Sequence, residues 1–169
     1  MAVHLLNCFT CNARVPASWH TGALCLLVET EQGLVLVDTG LGTADYVQKP
    51  AILYTFYVVT HVPLDPREAA LRQVASLGYD PTDVRHIVLT HMHFDHCGGL
   101  ADFPWARVHV HRRELEAFYG RPRRWTDLAY VRRHAAHQPE FVLYEERDER
   151  WFDLPAVRLP FEPEMWLVP

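Results

Sequence analysis

The sequence of 169 residues lacks several features that would assign it to a specialised class of protein. Its four cysteines, Cys8, Cys11, Cys25 and Cys97, are too sparse for a disulfide scaffold. No stretch approaches the roughly 18 consecutive apolar residues of a membrane span, and the amino terminus has no basic segment followed by a long apolar one. We therefore expect reduced thiols, a cytoplasmic location and no membrane partner.

Basic residues are fewer than acidic ones. The chain has 16 Lys and Arg against 21 Asp and Glu, a formal net charge of −5, which disfavours nucleic acid as a partner. A local exception is a band of seven arginines, which is either a solvated helical face or a mouth that attracts anionic substrates: Arg112, Arg113, Arg121, Arg123, Arg124, Arg132 and Arg133. Because 49% of the residues are hydrophobic, we expect one folded domain over residues 1–169.

Histidine, by contrast, is abundant, with eleven residues. The segment His91-Met92-His93-Phe94-Asp95-His96 holds four metal-binding side chains in six positions. Imidazole and carboxylate are ligands that zinc and related divalent ions prefer. His91, His93 and Asp95 alternate, so an extended backbone would point them to one side, whereas His96 must diverge. We predict that His91 and His93 bind one ion and that Asp95 and His96 bind a second.

The residues around this motif predict where it lies in the fold. The apolar run Ile87-Val88-Leu89, within Val84 to Thr90, is typical of a buried strand that leads into the ligands. Gly98 and Gly99 follow and would let the chain turn closely past an ion. Ligands at the carboxyl end of a strand are where function is expected in α/β proteins.

Other segments indicate alternating strands and helices. Val3 to Phe9 and Ala23 to Thr30 are predicted strands, and a turn at Glu31-Gln32-Gly33 joins the second to Leu34 to Asp38. Asp65, Pro66 and Glu68 predict the start of a helix with Leu71, Val74, Ala75 and Leu77 as its apolar stripe and Gly78 as its end. A further helix is predicted over Glu114 to Tyr119. The aromatic stretch from Ala44 to Val62 is a lid, a partner-contact surface or ordinary core.

The remaining histidines after the motif are weaker candidates. His109 and His111 alternate on a predicted strand from Arg107 to His111 and are expected to be structural. His134 and His137 lie three residues apart on a predicted helix and could share a face. Cys8 and Cys11 have the spacing of a zinc knuckle or redox pair, but no second pair matches them, so we favour two reduced thiols at the end of the first strand.

The segment from Thr90 to Gly99 resembles the signature of the metallo-β-lactamase superfamily, His-x-His-x-Asp-His after a strand. A second element, Leu34-Val35-Leu36-Val37-Asp38-Thr39-Gly40, matches the family's strand that ends in an Asp-Thr-Gly turn. The resemblance implies an α/β fold, α+β by some schemes, built as an αββα sandwich with a mixed sheet and flanking helices. It also implies a one- or two-metal site at a sheet edge and hydrolysis of an ester, thioester, lactone, lactam or phosphodiester bond.

Family members complete this site with a further histidine, a bridging aspartate and a last histidine beyond the first motif. Here the segment Glu164 to Pro169 resembles the strand that leads to the next ligand-bearing loop. The resemblance therefore implies the amino-terminal portion of such a domain, truncated before the later ligands. Water or a neighbouring chain, as in a homodimer, would have to supply the missing ligands.

The function we expect is that of a zinc-dependent hydrolase acting on a small-molecule ester, lactone or thioester. An intact site would hold two Zn²⁺ ions, with Fe or Mn as alternatives, and would use a metal-activated hydroxide as the nucleophile. Asp95 is the predicted catalytic residue, and Asp38 is either an outer-shell carboxylate that orients a ligand histidine or a turn-forming residue. Two alternatives stay open: an iron-binding redox protein, and a non-catalytic remnant that folds only with a partner chain.

Overall fold

The structure is a computed structural model that describes residues 1–13, 18–48, 51–121, 125–145 and 149–168. Its centre is a mixed six-stranded sheet in the order β1-β2-β3-β4-β5-β6. The first three strands are antiparallel, and β3 to β6 are parallel. The strands are β1 (Val3–Ala13), β2 (Trp19–Thr30), β3 (Gly33–Val37), β4 (Val84–Val88), β5 (Arg107–His111) and β6 (Phe141–Tyr144).

The predicted hairpin of β2 and β3 is confirmed, with Thr30 paired to Gly33 across the turn. Strands β1 and β2 are longer than their apolar patterns indicated. Their backbones remain paired as far as Ala13 and Trp19, with an irregularity between Asn7 and Phe9. Backbone hydrogen bonding extends past the last alternating residues, because a ladder needs no particular side chain.

The helices lie in the connections between these strands and after β5. They are α1 (Thr43–Gln48), α2 (Ala51–Val59), α3 (Ala70–Ser76), α4 (Phe94–Cys97) and α5 (Arg112–Tyr119). Five short 3₁₀ helices accompany them, at Pro66–Glu68, Pro81–Asp83, Gly98–Asp102, Trp125–Ala129 and Arg132–Ala135. No helix among the described residues is long and apolar enough to cross a bilayer.

The helix predicted to begin at Asp65 is split in two. Asp65 caps a 3₁₀ turn at Pro66–Glu68, as its side chain accepts a hydrogen bond from the Arg67 N–H. Ala69 then adopts an extended ψ of 127°, and α3 begins only afterwards. The predicted apolar stripe is correspondingly wrong at its end. Val74 is buried, whereas Ala75, inside α3, and Leu77, its C-cap residue, are exposed.

The two faces of the sheet are covered by different parts of the chain. One face packs against α3, α5 and the turn after α4 in a core that includes Leu27, Leu36 and Ile87. The other face carries Val28, Val35 and Val88, which pack under Leu159, Phe161 and Leu167. These last residues belong to or adjoin a small sheet of β9 (Val157–Arg158) and β10 (Trp166–Leu167), while β7 (Arg150–Trp151) pairs with β8 (Leu154–Pro155).

Some predictions fall on residues that the structure does not describe. These are Arg123 and Arg124 of the arginine band, Pro169, and positions 146–148 of an acidic and basic run. The aromatic stretch from Ala44 to Val62 contributes to both surface and core, since Tyr57 is buried and Tyr54 is exposed.

Candidate metal centre

The candidate site lies where the neighbouring parallel strands β3 and β4 end at the same edge of the sheet. The Asp38 N–H donates to the Val88 carbonyl at 2.9 Å, which fixes the end of β3 against the end of β4. The chain after β3 supplies Asp38, and the chain after β4 supplies the histidine motif. The sheet register therefore brings a carboxylate 58 residues away in sequence to the predicted ligand His96.

The alternation of the ligands predicted an extended backbone, but only the first half of the motif is non-helical. His91 and His93 lie in irregular backbone, but Asp95 and His96 lie in α4, with His93 as its N-cap residue. The backbone N–H groups of His96 and Cys97 both donate to the His93 carbonyl at 2.9 Å. Helical hydrogen bonds thus replace an extended path, and Asp95 no longer alternates with the two histidines.

Three imidazoles of the motif nevertheless lie together. The ring centroids of His91 and His96 are 3.9 Å apart, and those of His91 and His93 are 4.6 Å apart. Asp95 joins this group through its Oδ2 atom, which lies 3.6 Å from His96 Nε2. The structure therefore brings all four predicted ligands into one group of neighbouring side chains.

Asp38 holds His96 from the opposite side of the ring. Its Oδ2 atom lies 2.8 Å from His96 Nδ1, and the carboxylate is almost fully buried at 2% exposure. The same carboxylate accepts hydrogen bonds from the Thr90 N–H at 2.8 Å and the Thr90 hydroxyl at 2.7 Å. With Nδ1 bonded to the carboxylate, the Nε2 atom of His96 is directed towards Asp95. Asp38 thus contacts the predicted ligand His96 and, with φ of 57°, is also a turn residue.

The glycine pair after the motif lies where the backbone approaches a neighbouring segment closely. A Cβ atom at Gly98 would approach the Gly40 carbonyl to 2.8 Å, and one at Gly99 would approach the Thr39 carbonyl to 2.9 Å. The pair therefore allows the backbone after α4 to pack against the turn that follows Asp38. Thr39 fastens the two segments, since its N–H donates to the His96 carbonyl at 2.7 Å.

Burial and neighbouring charges shift the pKa values of the three imidazoles in different directions. Burial lowers the pKa of His91, and the neighbouring His96 and His93 lower it further. Burial also lowers the pKa of His93. Burial acts in the same direction on His96, but the hydrogen bond and negative charge of Asp38 outweigh it, so the pKa of His96 is raised. The first two rings therefore favour the neutral form, which is the form that binds a metal ion.

Two supporting residues were not predicted from the sequence. Thr90 was assigned only to a strand end, yet its N–H and hydroxyl fill two positions on Asp38. Glu114 was assigned only to the start of a helix, yet its Oε1 atom accepts a hydrogen bond from the Met92 N–H at 2.8 Å. Neither residue has a spacing from its partner that would identify it.

Among the weaker candidates, His109, His111 and His134 have structural contacts, whereas both ring nitrogens of His137 are buried without a hydrogen-bond partner in the described part of the chain. His109 lies on β5 as predicted, hydrogen-bonded to His86 at 2.9 Å and to the Tyr144 hydroxyl at 2.8 Å. His111 accepts from the Arg113 N–H at the start of α5. His134 lies in a 3₁₀ helix rather than the predicted α-helix, and its Nε2 atom lies 3.0 Å from the buried Asp45.

Several arginines of the predicted band have partners within the chain. Arg133 forms an ion pair with the buried Asp45, and Arg112 forms one with Glu145. Arg132 donates to the carbonyl of Tyr119 at 2.9 Å. These contacts fasten neighbouring segments to one another.

The four predicted ligands fit divalent metal ions as two pairs, with one pair for each ion. Within the described ranges, no three His, Cys, Asp or Glu side chains converge as one ion would need. The 3.6 Å between Asp95 Oδ2 and His96 Nε2 is nonetheless close to the roughly 3.4 Å that separates two ligands on a tetrahedral ion with bonds of about 2.1 Å. Asp95 and His96 therefore suit one ion, and the neutral imidazoles of His91 and His93 have the right chemistry for another.

A mixed sheet with flanking helices, and a histidine- and carboxylate-rich group at the ends of two parallel strands, make this an α/β protein with a candidate metal centre at one edge of its sheet. The family model described as the metallo-beta-lactamase superfamily matches residues 20–164. The chain belongs to this superfamily.

Curated relatives agree with this assignment. A protein of Mycobacterium tuberculosis named "Probable metallo-hydrolase" is 44% identical over 151 residues, covering 88% of this chain and 47% of that protein. An N-acyl homoserine lactonase of Bacillus thuringiensis is 35% identical over 94 residues, covering 55% of this chain and 38% of the lactonase. The chain spans about half the length, or less, of the curated relatives it matches.

Solved structures share the fold. A quorum-quenching N-acyl homoserine lactone lactonase superimposes with a TM-score of 0.66 and 22% identity, over 93% of this chain and 61% of that one. A protein of Staphylococcus aureus described as a "probable metal-dependent hydrolase" also gives a TM-score of 0.66, with 20% identity over 88% of this chain and 60% of that one. These similarities confirm the predicted metallo-β-lactamase-like α/β fold.

Proposed function

We propose that this chain carries the metal centre of a divalent-metal-dependent hydrolase, with zinc as the expected ion. His91 and His93 would bind one ion, and Asp95 and His96 would bind a second. The observation that carries the proposal is the arrangement of Asp38, His96 and Asp95. A buried carboxylate engages one nitrogen of the imidazole and leaves the other facing a second carboxylate.

The chain's own residues would divide the work at such a centre. Divalent cations, when bound, polarise a substrate oxygen and lower the pKa of a water molecule. Asp38 would keep the Nδ1 proton of His96 in place and so preserve the Nε2 lone pair. Asp95 would act both as a ligand and as the acceptor of a hydrogen bond from the attacking water.

The substrate we propose is a small ester, lactone or thioester with an apolar portion. Some relatives are named N-acyl homoserine lactonases, and that name specifies a lactone with an acyl chain as the substrate. Phe94, within the motif, contacts Phe56 and Tyr57 of α2 at ring-centroid distances of 5.5 and 6.1 Å. Phe56 and its neighbour Tyr54 are also partly exposed, so an apolar surface lies beside the predicted ligands.

Metal content tests the metal centre directly. We would measure zinc, iron and manganese by elemental analysis in protein purified without added metal, for the wild type and for His93→Ala. His20→Ala is the matched control, because His20 is exposed, lies outside the predicted ligands and has its ring hydrogen-bonded to Asn12. We expect zinc in the wild type and the control, and a loss of at least half of it in His93→Ala.

Other results would contradict this proposal. Iron in place of zinc would favour the redox alternative. A folded wild-type monomer that binds none of the three metals would favour a non-catalytic remnant, and size-exclusion chromatography would report its mass. For the metal-loaded wild type, hydrolysis of an N-acyl homoserine lactone and of an acyl thioester, followed by chromatography of the products, tests the substrate class.

A further inference from the structure

The side chain, the N–H and the carbonyl of Met92, the residue between the predicted ligands His91 and His93, all have contacts within the fold. Its side chain is completely buried in the main core. Its N–H donates to Glu114 Oε1 at 2.8 Å, and its carbonyl accepts a hydrogen bond from Cys97 Sγ at 3.2 Å. Because the peptide planes on both sides of Met92 are fixed, the directions in which the two imidazoles leave the backbone depend on these contacts.

Glu114 is the part of this arrangement that comes from outside the motif. It lies in the first turn of α5, 22 residues after Met92, and is half-buried. Burial and the neighbouring Glu114 carboxylate raise the pKa of Tyr130 to about 12. The Tyr130 ring packs edge-on against His93, with the ring centroids 4.8 Å apart. Glu114 therefore connects the backbone before His93 with the aromatic ring beside it.

We propose that Glu114 is a positioning residue of the metal centre, which sets the direction of the His93 imidazole through Met92 and Tyr130. The inference rests on the proposed function, since it requires that His93 binds a metal ion. A charged carboxylate that accepts from a backbone N–H forms a strong hydrogen bond with a defined direction. Loss of an outer-shell partner weakens metal binding by about 10- to 100-fold.

A purely structural role for Glu114 is the competing explanation. Its bond to Met92 also ties α5 to the segment after β4, and that link could matter only for folding. The two roles differ in what a folded variant does. A structural link changes the unfolding temperature alone, whereas a positioning residue changes the affinity for metal of protein that is fully folded.

The test is the zinc dissociation constant, measured by competition with a chromophoric chelator. We expect Glu114→Ala to bind zinc about 10- to 100-fold more weakly than the wild type. Glu114→Gln should recover much of this loss, because its amide oxygen can still accept from the Met92 N–H. Glu116→Ala is the matched control. Glu116 lies on the same helix, two residues away, and is exposed, so its loss should leave the affinity unchanged.

Tyr130→Phe removes only the hydroxyl, whose pKa Glu114 helps to raise, and keeps the ring beside His93. We expect it to weaken zinc binding by less than Glu114→Ala does. Thermal unfolding of the metal-free proteins establishes which variants are folded. Should Glu114→Ala fail to fold, Tyr130→Phe decides the matter, and wild-type affinity in that variant would overturn the inference.

The results separate this inference from the proposed function. A wild type that binds no zinc refutes the proposed function, and the role of Glu114 is then refuted with it. A wild type that binds zinc while folded Glu114→Ala binds it equally well refutes the positioning role alone. Equal losses in Glu114→Ala and Glu116→Ala would also refute it, because the effect would then be one of general negative charge.

Discussion

Replacing Asp38 separates the three tasks that the structure gives this residue: accepting hydrogen bonds, carrying a negative charge beside His96 and adopting a left-handed backbone. The carboxylate accepts three hydrogen bonds, two from Thr90 and one from His96, at 2.7 to 2.8 Å. Bonds to a charged group contribute about 1.5–3 kcal/mol each in a buried setting. Thr90 is exposed, so water can replace part of its share.

From these contacts we expect Asp38→Ala to lower the free energy of unfolding by about 4 kcal/mol, of which about 1–2 kcal/mol is the strain of alanine at a φ of 57°. Asp38→Gly removes the same side chain without that strain and should cost about 3 kcal/mol. Asp38→Asn keeps the shape and tolerates the backbone, so it should cost only about 1–2 kcal/mol. Urea unfolding monitored by circular dichroism measures all three.

Asp38→Asn also tests the link to the metal centre. Without the negative charge, the pKa of His96 in the metal-free protein should fall, as NMR titration of the ring would show. Zinc affinity should fall by about 10- to 100-fold, as for other outer-shell partners of ligand histidines. Wild-type zinc affinity together with an unchanged His96 pKa would refute the reasoning, whatever the variant's stability.

Two further predictions concern the scaffold. Gly40→Ala should lower the free energy of unfolding by about 2–4 kcal/mol, because a Cβ atom there would overlap Cys8. Gly78→Ala should lower it by only about 1 kcal/mol, because Gly78 has a φ of 90° but open space around it. Urea unfolding measures both, and similar losses in the two variants would contradict this reasoning. Burial lowers the pKa of His109 to about 4, and the nearby His86 contributes. Since an unfolded histidine has a pKa of about 6.5, His109 stays neutral in the folded protein while it is protonated in the unfolded one, and stability should drop by up to about 3 kcal/mol as the pH falls between these values. Urea unfolding across this pH range should show a shallower decline in His109→Gln, and parallel curves would contradict the assignment.

The local parts of the fold could be predicted from the sequence. The hairpin of β2 and β3, the buried strand β4 and the start of the metal motif all follow from short patterns of apolar residues and turns. The break at Ala69 could not be predicted in this way. Asp65 and Pro66 are equally good starts for a 3₁₀ turn and for an α-helix, and the packing of Ala70 and Val74 against the sheet decides where the longer helix begins.

The candidate site divides in the same way. Its four predicted ligands could be found because they lie within six residues, where spacing alone is informative. The alternation of His91, His93 and Asp95 was misleading, because α4 forms across the second half of the motif. The contacts of Asp38 with His96 and of Glu114 with Met92 span 58 and 22 residues. Such pairs depend on strand register and helix placement, which no local pattern encodes.

The two supporting carboxylates act on different halves of the motif. Asp38, at the end of β3, engages the His96 ring, whereas Glu114, in α5, engages the backbone before His93. If His93 and His96 bind different ions, loss of one carboxylate should impair one ion more than the other. The motif would then supply the ligands, while the sheet and α5 each determine how well one ion is held. This division explains why the ligand segment can be short although the positioning of its side chains depends on distant parts of the fold.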